Sequence, residues 1–432
     1  MSYCTSNIIK CQEYICEKAE EEKSKVIYEC RSSEKAEKVK CRYCAGKVKG
    51  HGTAILKAND VPKYPGKPTV YRIYRHRYQC TECGATFIER DPFSCPGFHL
   101  TKDAVEWICQ LLSYQIPTKT VADLMGIHWN TVRKIQKARM DYILKKRDTE
   151  LLESSYRPYF LAVDEFAIHK GHRYATCVMD LVKGDVLWVG KGRDIKGFKK
   201  FFEHYNGTDY LSQVRAVAMD MNASYNRLVE EFLPDAEIVY DRYHVQAQYG
   251  RDVLGQVRLA EAKKHKDQAR EMTKEQNPDS DRISEEKRLY SKIKKARWTL
   301  LSNADNLSEN KKASLNEILE SHSDLAVCYA MKEELIELFK LSDIGLAAQR
   351  WEKWFDAAEH SEIPPLVKFA RLKRKRIKGL IAHSKFHINT GKLEGFNNKI
   401  KVAKRNAFGF RNSDYFFSYI RFLSLPSSIS GT

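Results

Sequence analysis

Apolar residues first settle into a regular period between residues 100 and 144, in LTKDAVEWICQLLSYQIPTKTVADLMGIHWNTVRKIQKARMDYIL. Thr101 is placed to cap a helix whose inward positions are Val105, Ile108, Leu111 and Leu112. A second helix over Thr118–Met125 stops at Gly126, and a third opens near Trp129. Small Ala122, the turn glycine and apolar Val121, Leu124, Ile127, Val132 and Ile135 suit a helix-turn-helix. Asn130, Thr131, Arg133 and Lys134 then lead the helix that such a motif lays in the DNA major groove.

From residue 156 the period changes to that of strands. PYFLAVDEFAIHKG is a nearly continuous apolar run, and HRYATCVMDLVKGDVLWVGKGR splits at Lys183-Gly184-Asp185 into two more strands. IKGFKKFFEHYN reads as an amphipathic helix. VRAVAMDMNASYNRLVEEFL and AEIVYDRYHVQAQYG each run from a buried strand into a helix. Three leading strands, a helix, then alternating strand and helix outline an RNase H-like mixed sheet, in which the first and fourth strands are neighbours. Residues 256–385 are charged and helical, with no strand pattern, and read as an all-helical insertion. Residues 1–35 are polar, with YICEKAEEEKSK suggesting a short exposed helix. The fold class is therefore multidomain α/β. Its segments are the polar 1–35, a small metal-bound domain at 36–99, the helix-turn-helix at 100–148, a core at 155–255 resuming at 386–425, and the insertion.

Composition narrows the partner. Lys plus Arg number 74 against 56 for Asp plus Glu, a net charge of +18, which favours a polyanion whose phosphates the cations can neutralise. In KFARLKRKRIK seven of eleven residues are basic, including Lys373, Arg374, Lys375 and Arg376, and a backbone-phosphate role is expected. No apolar run approaches the ~20 residues that span a bilayer, and the N-terminus lacks the order of a signal peptide. The expectation is a soluble cytoplasmic protein with no membrane partner, whose twelve cysteines stay reduced.

Four of those cysteines form two knuckles, Cys41-Arg-Tyr-Cys44 and Cys80-Thr-Glu-Cys83. Each turn can present two thiolates, and together they complete a tetrahedral structural Zn2+ site of zinc-ribbon type. The 35 residues between Cys44 and Cys80 demand an enlarged ribbon loop. Cys95 and His99 are alternative ligands, and Cys4, Cys11, Cys16 and Cys30 are spaced too irregularly for assignment.

Two acids stand at the polar ends of apolar runs, Asp164 after FLAV and Asp220 after AVAM. A carboxylate there is costly unless paired or bound to a cation, and convergent carboxylates are what two-metal phosphoryl transfer requires. An N-cap or a surface ion pair would also account for Asp220. Glu394, alone among bases in KLEGFNNKIKVAKR, reads locally as a minor charge or as a third ligand.

VDEFAIHKGHRYATCVMDL, VAMDMNASY, LPDAEIVYDRYHV and EGFNNKIKVAKRNAFGFRN, with the two knuckles and the helix-turn-helix, resemble the ISL3 family of bacterial insertion-sequence transposases. The resemblance extends over nearly the whole chain. It implies a DDE triad of Asp164, Asp220 and Glu394 holding two Mg2+ (or Mn2+) ions, and cleavage and strand transfer at the element's terminal inverted repeats. Asp241-Arg-Tyr-His244 looks like the [C/D]xxH signature of related transposases, in which His244 and Asp241 support the site wall. Lys399, Lys401, Lys404 and Arg405 follow Glu394 on one helix and would touch DNA phosphate. Pairing two ends implies a homodimer or larger assembly on double-stranded DNA, associated with the nucleoid. Glu165, beside Asp164, points to the other face by strand alternation and is left out of the ligand set. The competing readings are a catalytically inactive, transposase-derived DNA-binding regulator, and an RNase H-like DNA nuclease without strand transfer.

Overall fold

The computed structural model describes residues 14–32, 39–64, 66–91, 94–169, 173–407 and 409–426, so Cys4 and Cys11 lie outside the described residues. The chain separates into two compact units, Met1–Glu153 with Asn398–Thr432, and Ser154–Asn397.

The first unit is built on a mixed sheet of β1 (Tyr14–Glu21), β2 (Val26–Ser32), β3 (Val48–Tyr64), β4 (Lys67–Cys80) and β5 (Thr86–Ile88), in the order β1-β2-β4-β3 with β5 on β4. The helix expected within residues 14–25 is a strand instead. Its Glu and Lys favour a helix locally, but Tyr14 packs with Val26, Tyr28, Cys30, Tyr71 and Ile73, and that tertiary burial overrides a weak propensity. Register sets Cys16 opposite Cys30, with their sulfurs 2.7 Å apart. The long spacer between the knuckles is the β3–β4 hairpin, whose ladder runs from Val48 against Cys80 to Tyr64 against Lys67.

Helices α1 (Lys102–Ser113), α2 (Thr118–Met125) and α3 (Trp129–Glu153) follow. Thr101 caps α1 by accepting from the Ala104 amide, and Gly126 ends α2 in the left-handed conformation at φ 61°. Helix α3 continues well past Asp148, and its Met140 shares a core with Ala403, Tyr415 and Tyr419. Residues from Asn398 onward group by contacts with this first unit. The reason is the aromatic stripe of the C-terminal helix, Ser413–Leu423, which buries Tyr415 and Tyr419 and ties Arg421 to Asp148 at 2.5 Å.

In the second unit, β6 (Phe160–His169), β7 (Arg173–Asp180) and β8 (Val186–Lys191) form an antiparallel meander; α4 (Ile195–His204), β9 (Ala216–Met219), α5 (Ala223–Phe232), β10 (Glu237–Tyr240) and α6 (Arg242–Tyr249) follow. The strand order is β10-β9-β6-β7-β8, with β9 and β10 parallel to each other and β9 parallel to β6. The expected adjacency holds: Val163 pairs with Met219, so Asp164, midway along β6, and Asp220, just past the end of β9, lie at the same level of neighbouring strands.

A short π-helical segment, Gly250–Leu254, leads into α7 (Gly255–Met272), α8 (Ser280–Lys295), α9 (Arg297–Leu301), α10 (Glu309–Ser321), α11 (Ser323–Leu338), α12 (Ile344–His360) and α13 (Pro364–Arg374). Among the described residues no strand interrupts this region. Its core is aromatic: Trp351, Trp354 and Phe355 are fully buried, and the Trp354 indole donates to the Met331 carbonyl at 3.0 Å. The last helix before residue 386, α14 (Ile377–Phe386), is not part of a free-standing insertion. Ala382 packs with Ala216 and Val239 of the sheet, and Gly379 lies so close to Tyr240 that a β-carbon there would meet the ring at 2.5 Å. Helix α15 (Gly391–Asn406) then carries Glu394, and the C-terminal helix above is α16.

Candidate active site

Asp164 emerges where β6 passes the end of β9. It is 8 % exposed, and burial pushes its carboxyl up to about 6, against the opposing effect of the Glu165 amide that donates to its Oδ1 at 2.7 Å. Asp220 follows β9 directly, and the helix cap after it is Asn222, so the N-cap reading of Asp220 does not apply. His244 lies in the first turn of α6, one turn past the end of β10. Its Nδ1 makes a close ionic contact with Asp220 Oδ1 at 2.7 Å, and its Nε2 lies 3.1 Å from Glu394 Oε1. The Asp220 contact is the main cause that raises His244 to about 9, against the effect of burial.

Asp241 caps α6, accepting at Oδ1 from the amides of Tyr243 (2.8 Å) and His244 (3.3 Å). Its Oδ2 accepts from the Thr390 amide at 2.8 Å and from Thr390 Oγ1 at 2.9 Å; Thr390 Oγ1 also lies 3.3 Å from Glu394 Oε1. Asp241 thereby holds the chain just ahead of α15, and with it Glu394, against the start of α6. Two overlapping groups of ligand atoms result among the described residues, Asp164–Asp220–His244 and Asp241–His244–Glu394, each within 4.8 Å and sharing His244. Glu394 joins the two aspartates through the imidazole. His244, expected only to support the wall, stands inside the donor set. Such a mixture of carboxylates and one imidazole suits a divalent cation.

Glu165 does point away from Asp164: its carboxylate meets Arg193 at 3.1 Å and the Tyr225 hydroxyl at 3.5 Å. It nevertheless borders the same cleft, of about 370 Å³, as Asp220, Met221, His244, Gln248 and Arg251. The basic run at 373–376 is divided in its surroundings. Lys373 is buried, donates to Gln248 Oε1 at 2.5 Å, and is pushed down to about 8 mainly by that burial. Arg376 donates to the Met221 carbonyl at 3.0 Å, Arg374 is held by Glu352 and Asp356 at 2.9 and 2.6 Å, and Lys375 is exposed. Lys373 Nζ also lies 3.0 Å from Met221 Sδ, so two of these four cations, for which a backbone-phosphate role was expected, reach the residue after Asp220. Two residues that sequence reasoning passed over belong to the site, Thr390 and Asn397. The spacing of E-G-x-N carried the only signal for Asn397.

In the first unit, the sulfurs of Cys41, Cys44, Cys80 and Cys83 all lie within 4.8 Å of one another, with Cys41–Cys83 at 3.7 Å and Cys44–Cys80 at 3.5 Å. Sulfurs on a tetrahedral zinc are separated by ~3.8 Å, given Zn–S bonds of about 2.3 Å. The Cys83 and Glu82 amides both donate to Cys80 Sγ at 3.4 Å and help draw that thiol down to about 7. On α3, Asn130 and Lys134 are exposed, while Thr131 and Arg133 are half-buried and Arg133 stacks over the Tyr415 ring at 5.0 Å. Lys399, Lys401 and Arg405 are exposed on α15 and Lys404 is half-buried.

The ISL3-type transposase family profile matches residues 161–420, well over half of the chain. The chain belongs to the ISL3 transposase family. Among curated proteins, the transposase for insertion sequence element IS1001 of Bordetella parapertussis is 34% identical over 382 residues, 88% of this chain and 87% of that protein. The transposase for insertion sequence element IS1557 of Mycobacterium tuberculosis is 28% identical over 318 residues, 72% of this chain and 68% of its own length. A solved structure, the Drosophila P element transposase strand transfer complex, aligns over 76% of this chain and 92% of its own with a TM-score of 0.34 and 10% identity, a distant likeness only. As an ISL3 transposase the chain is an insertion-sequence enzyme that acts on DNA, and no helix among its described residues is long and apolar enough to cross a membrane.

Proposed function

We propose that Asp164, Asp220 and Glu394 form the DDE triad of an RNase H-like core, which cleaves DNA at the ends of its element and joins the freed 3′-hydroxyl to a target. The observation that carries this reading is the convergence of three acids, from two parallel strands and a helix far along the chain, on one imidazole beside an open cleft. Two divalent ions, Mg2+ or Mn2+, held by these carboxylates would supply Lewis acidity and an activated hydroxyl. The chain's own part is positional. Asp241 and Thr390 hold Glu394, the Glu165 amide holds Asp164, and Lys373 and Arg376 add positive charge beside Asp220 where a phosphodiester would lie.

In the first unit, the four cysteines take a structural Zn2+ as a ribbon whose hairpin is β3–β4. Helices α2 and α3 form a helix-turn-helix that contacts the terminal repeats through Asn130, Thr131 and Lys134. The exposed Lys399, Lys401 and Arg405 bind phosphate, and two chains or more assemble on paired ends. The test is strand transfer: with end-containing DNA and a target plasmid, joined products should form with Mg2+ or Mn2+. They should disappear in Asp220→Asn while end binding persists. Hydrolysis without joined species would support the nuclease, and binding without either would support the regulator.

A further inference from the structure

Asn397 has no part in the triad, yet it touches Asp164 directly. It lies three residues after Glu394 on α15, so the two side chains share a helix face. Its amide nitrogen donates to Asp164 Oδ2 at 2.7 Å, and the residue is only 7 % exposed. The other carboxylate oxygen, Asp164 Oδ1, is already held by the Glu165 amide at 2.7 Å. Each oxygen of Asp164 therefore has one donor, one from its own strand and one from the helix of Glu394. The amide orientation follows from this chemistry, since the reverse would set two acceptors against each other. That orientation leaves Asn397 Oδ1 buried and without a hydrogen-bond donor from the described residues. A buried amide oxygen in that state is costly and calls for a reason.

We propose that Asn397 is a positioning residue for DNA transfer. It locks the first acid to the helix of the third, so that Asp164 and Glu394 keep one spacing, and the buried, unsatisfied oxygen is the cost of holding the amide in that orientation. This rests on the triad reading above. An apolar residue of similar shape would keep the packing and lose the hydrogen bond to Asp164. A carboxylate would place a second negative charge against Asp164.

The experiment compares Asn397→Leu, Asn397→Asp and Asp164→Ala in the full-length protein, with three readouts. Mn2+ binding is followed by electron paramagnetic resonance without DNA, end cleavage is measured against Mn2+ concentration, and end binding is measured without metal. Asn397→Leu should bind ends within about twofold of the parent, while its half-saturating Mn2+ concentration rises about tenfold and its maximal cleavage rate falls about tenfold. Asn397→Asp should cleave still more slowly than Asn397→Leu. If Asn397→Leu matches the parent in Mn2+ binding and cleavage while Asp164→Ala loses both, the role of Asn397 is overturned and the triad stands. If Asp164→Ala also matches the parent, the triad reading itself fails. Should Asn397→Leu not fold, Asn397→Ser decides the matter, because its smaller hydroxyl cannot span to Asp164 and the same loss of Mn2+ affinity is expected.

Discussion

Asp241→Ala should destabilise the second unit more than any exposed acid could. The carboxylate is 3 % exposed and accepts four hydrogen bonds, two from the first turn of α6 and two from Thr390, which is itself 1 % exposed. Loss of the α6 cap costs about 1 kcal/mol. Leaving the Thr390 amide and hydroxyl buried without an acceptor adds roughly 1–3 kcal/mol for each group that finds no substitute. With both groups unsatisfied the sum is about 3–7 kcal/mol, and for a unit of this size each kcal/mol lowers the melting temperature by roughly 2–4 °C, so a drop on the order of 10 °C or more is expected. Asp241→Asn keeps an acceptor for the α6 cap but turns an amino group toward Thr390, so it should fall between the parent and Asp241→Ala. Calorimetry of the zinc-loaded protein measures both, and strand transfer assayed well below the melting range tests whether Glu394 has lost its support. A shift under about 2 °C for Asp241→Ala, or Asp241→Asn falling below it, would refute the claim that this carboxylate ties α6 to the start of α15.

Two further outcomes test other parts of the fold. Cys80→Ser should lower the zinc content by about one ion per chain and weaken end binding, as atomic absorption and a mobility shift would report; unchanged zinc would exclude the four-cysteine site. Gly379→Ala should lower stability by about 1–3 kcal/mol in a denaturant titration, although alanine is the better helix former by about 1 kcal/mol, because its β-carbon would press on Tyr240 and the Ile238 carbonyl. A gain in stability would mean that α14 is not seated on β10 so closely.

Much of the fold was legible along the chain because it depends on neighbours in sequence. The period at 100–144 located α1, α2 and the start of α3, with Thr101 and Gly126 at their termini, since caps and left-handed turns are local chemistry. The acids Asp164 and Asp220 stood out because an acid after an apolar run is a local anomaly, and chain-order rules then made their strands neighbours, although only Asp220 follows a strand end and Asp164 lies midway along β6. Pairing over long distances was not readable. Residues 14–21 carry helix-favouring Glu and Lys, and only the partner strand β2 and the inward Tyr14 make them a strand. The basic run at 373–376 has one charge density throughout, yet its side chains divide between burial beside Met221, carboxylate partners on α12 and solvent, a division set by the helices packed around it. The sequence by itself determined which residue types could hold metal and in which segments they lie. Only the tertiary structure decided that His244 joins the acids, that Asp241 and Thr390 hold Glu394, and that Asn397 grips Asp164. A side-chain contact across more than a hundred residues leaves no period or spacing in the chain, and it exists only once sheet and helix have closed on each other.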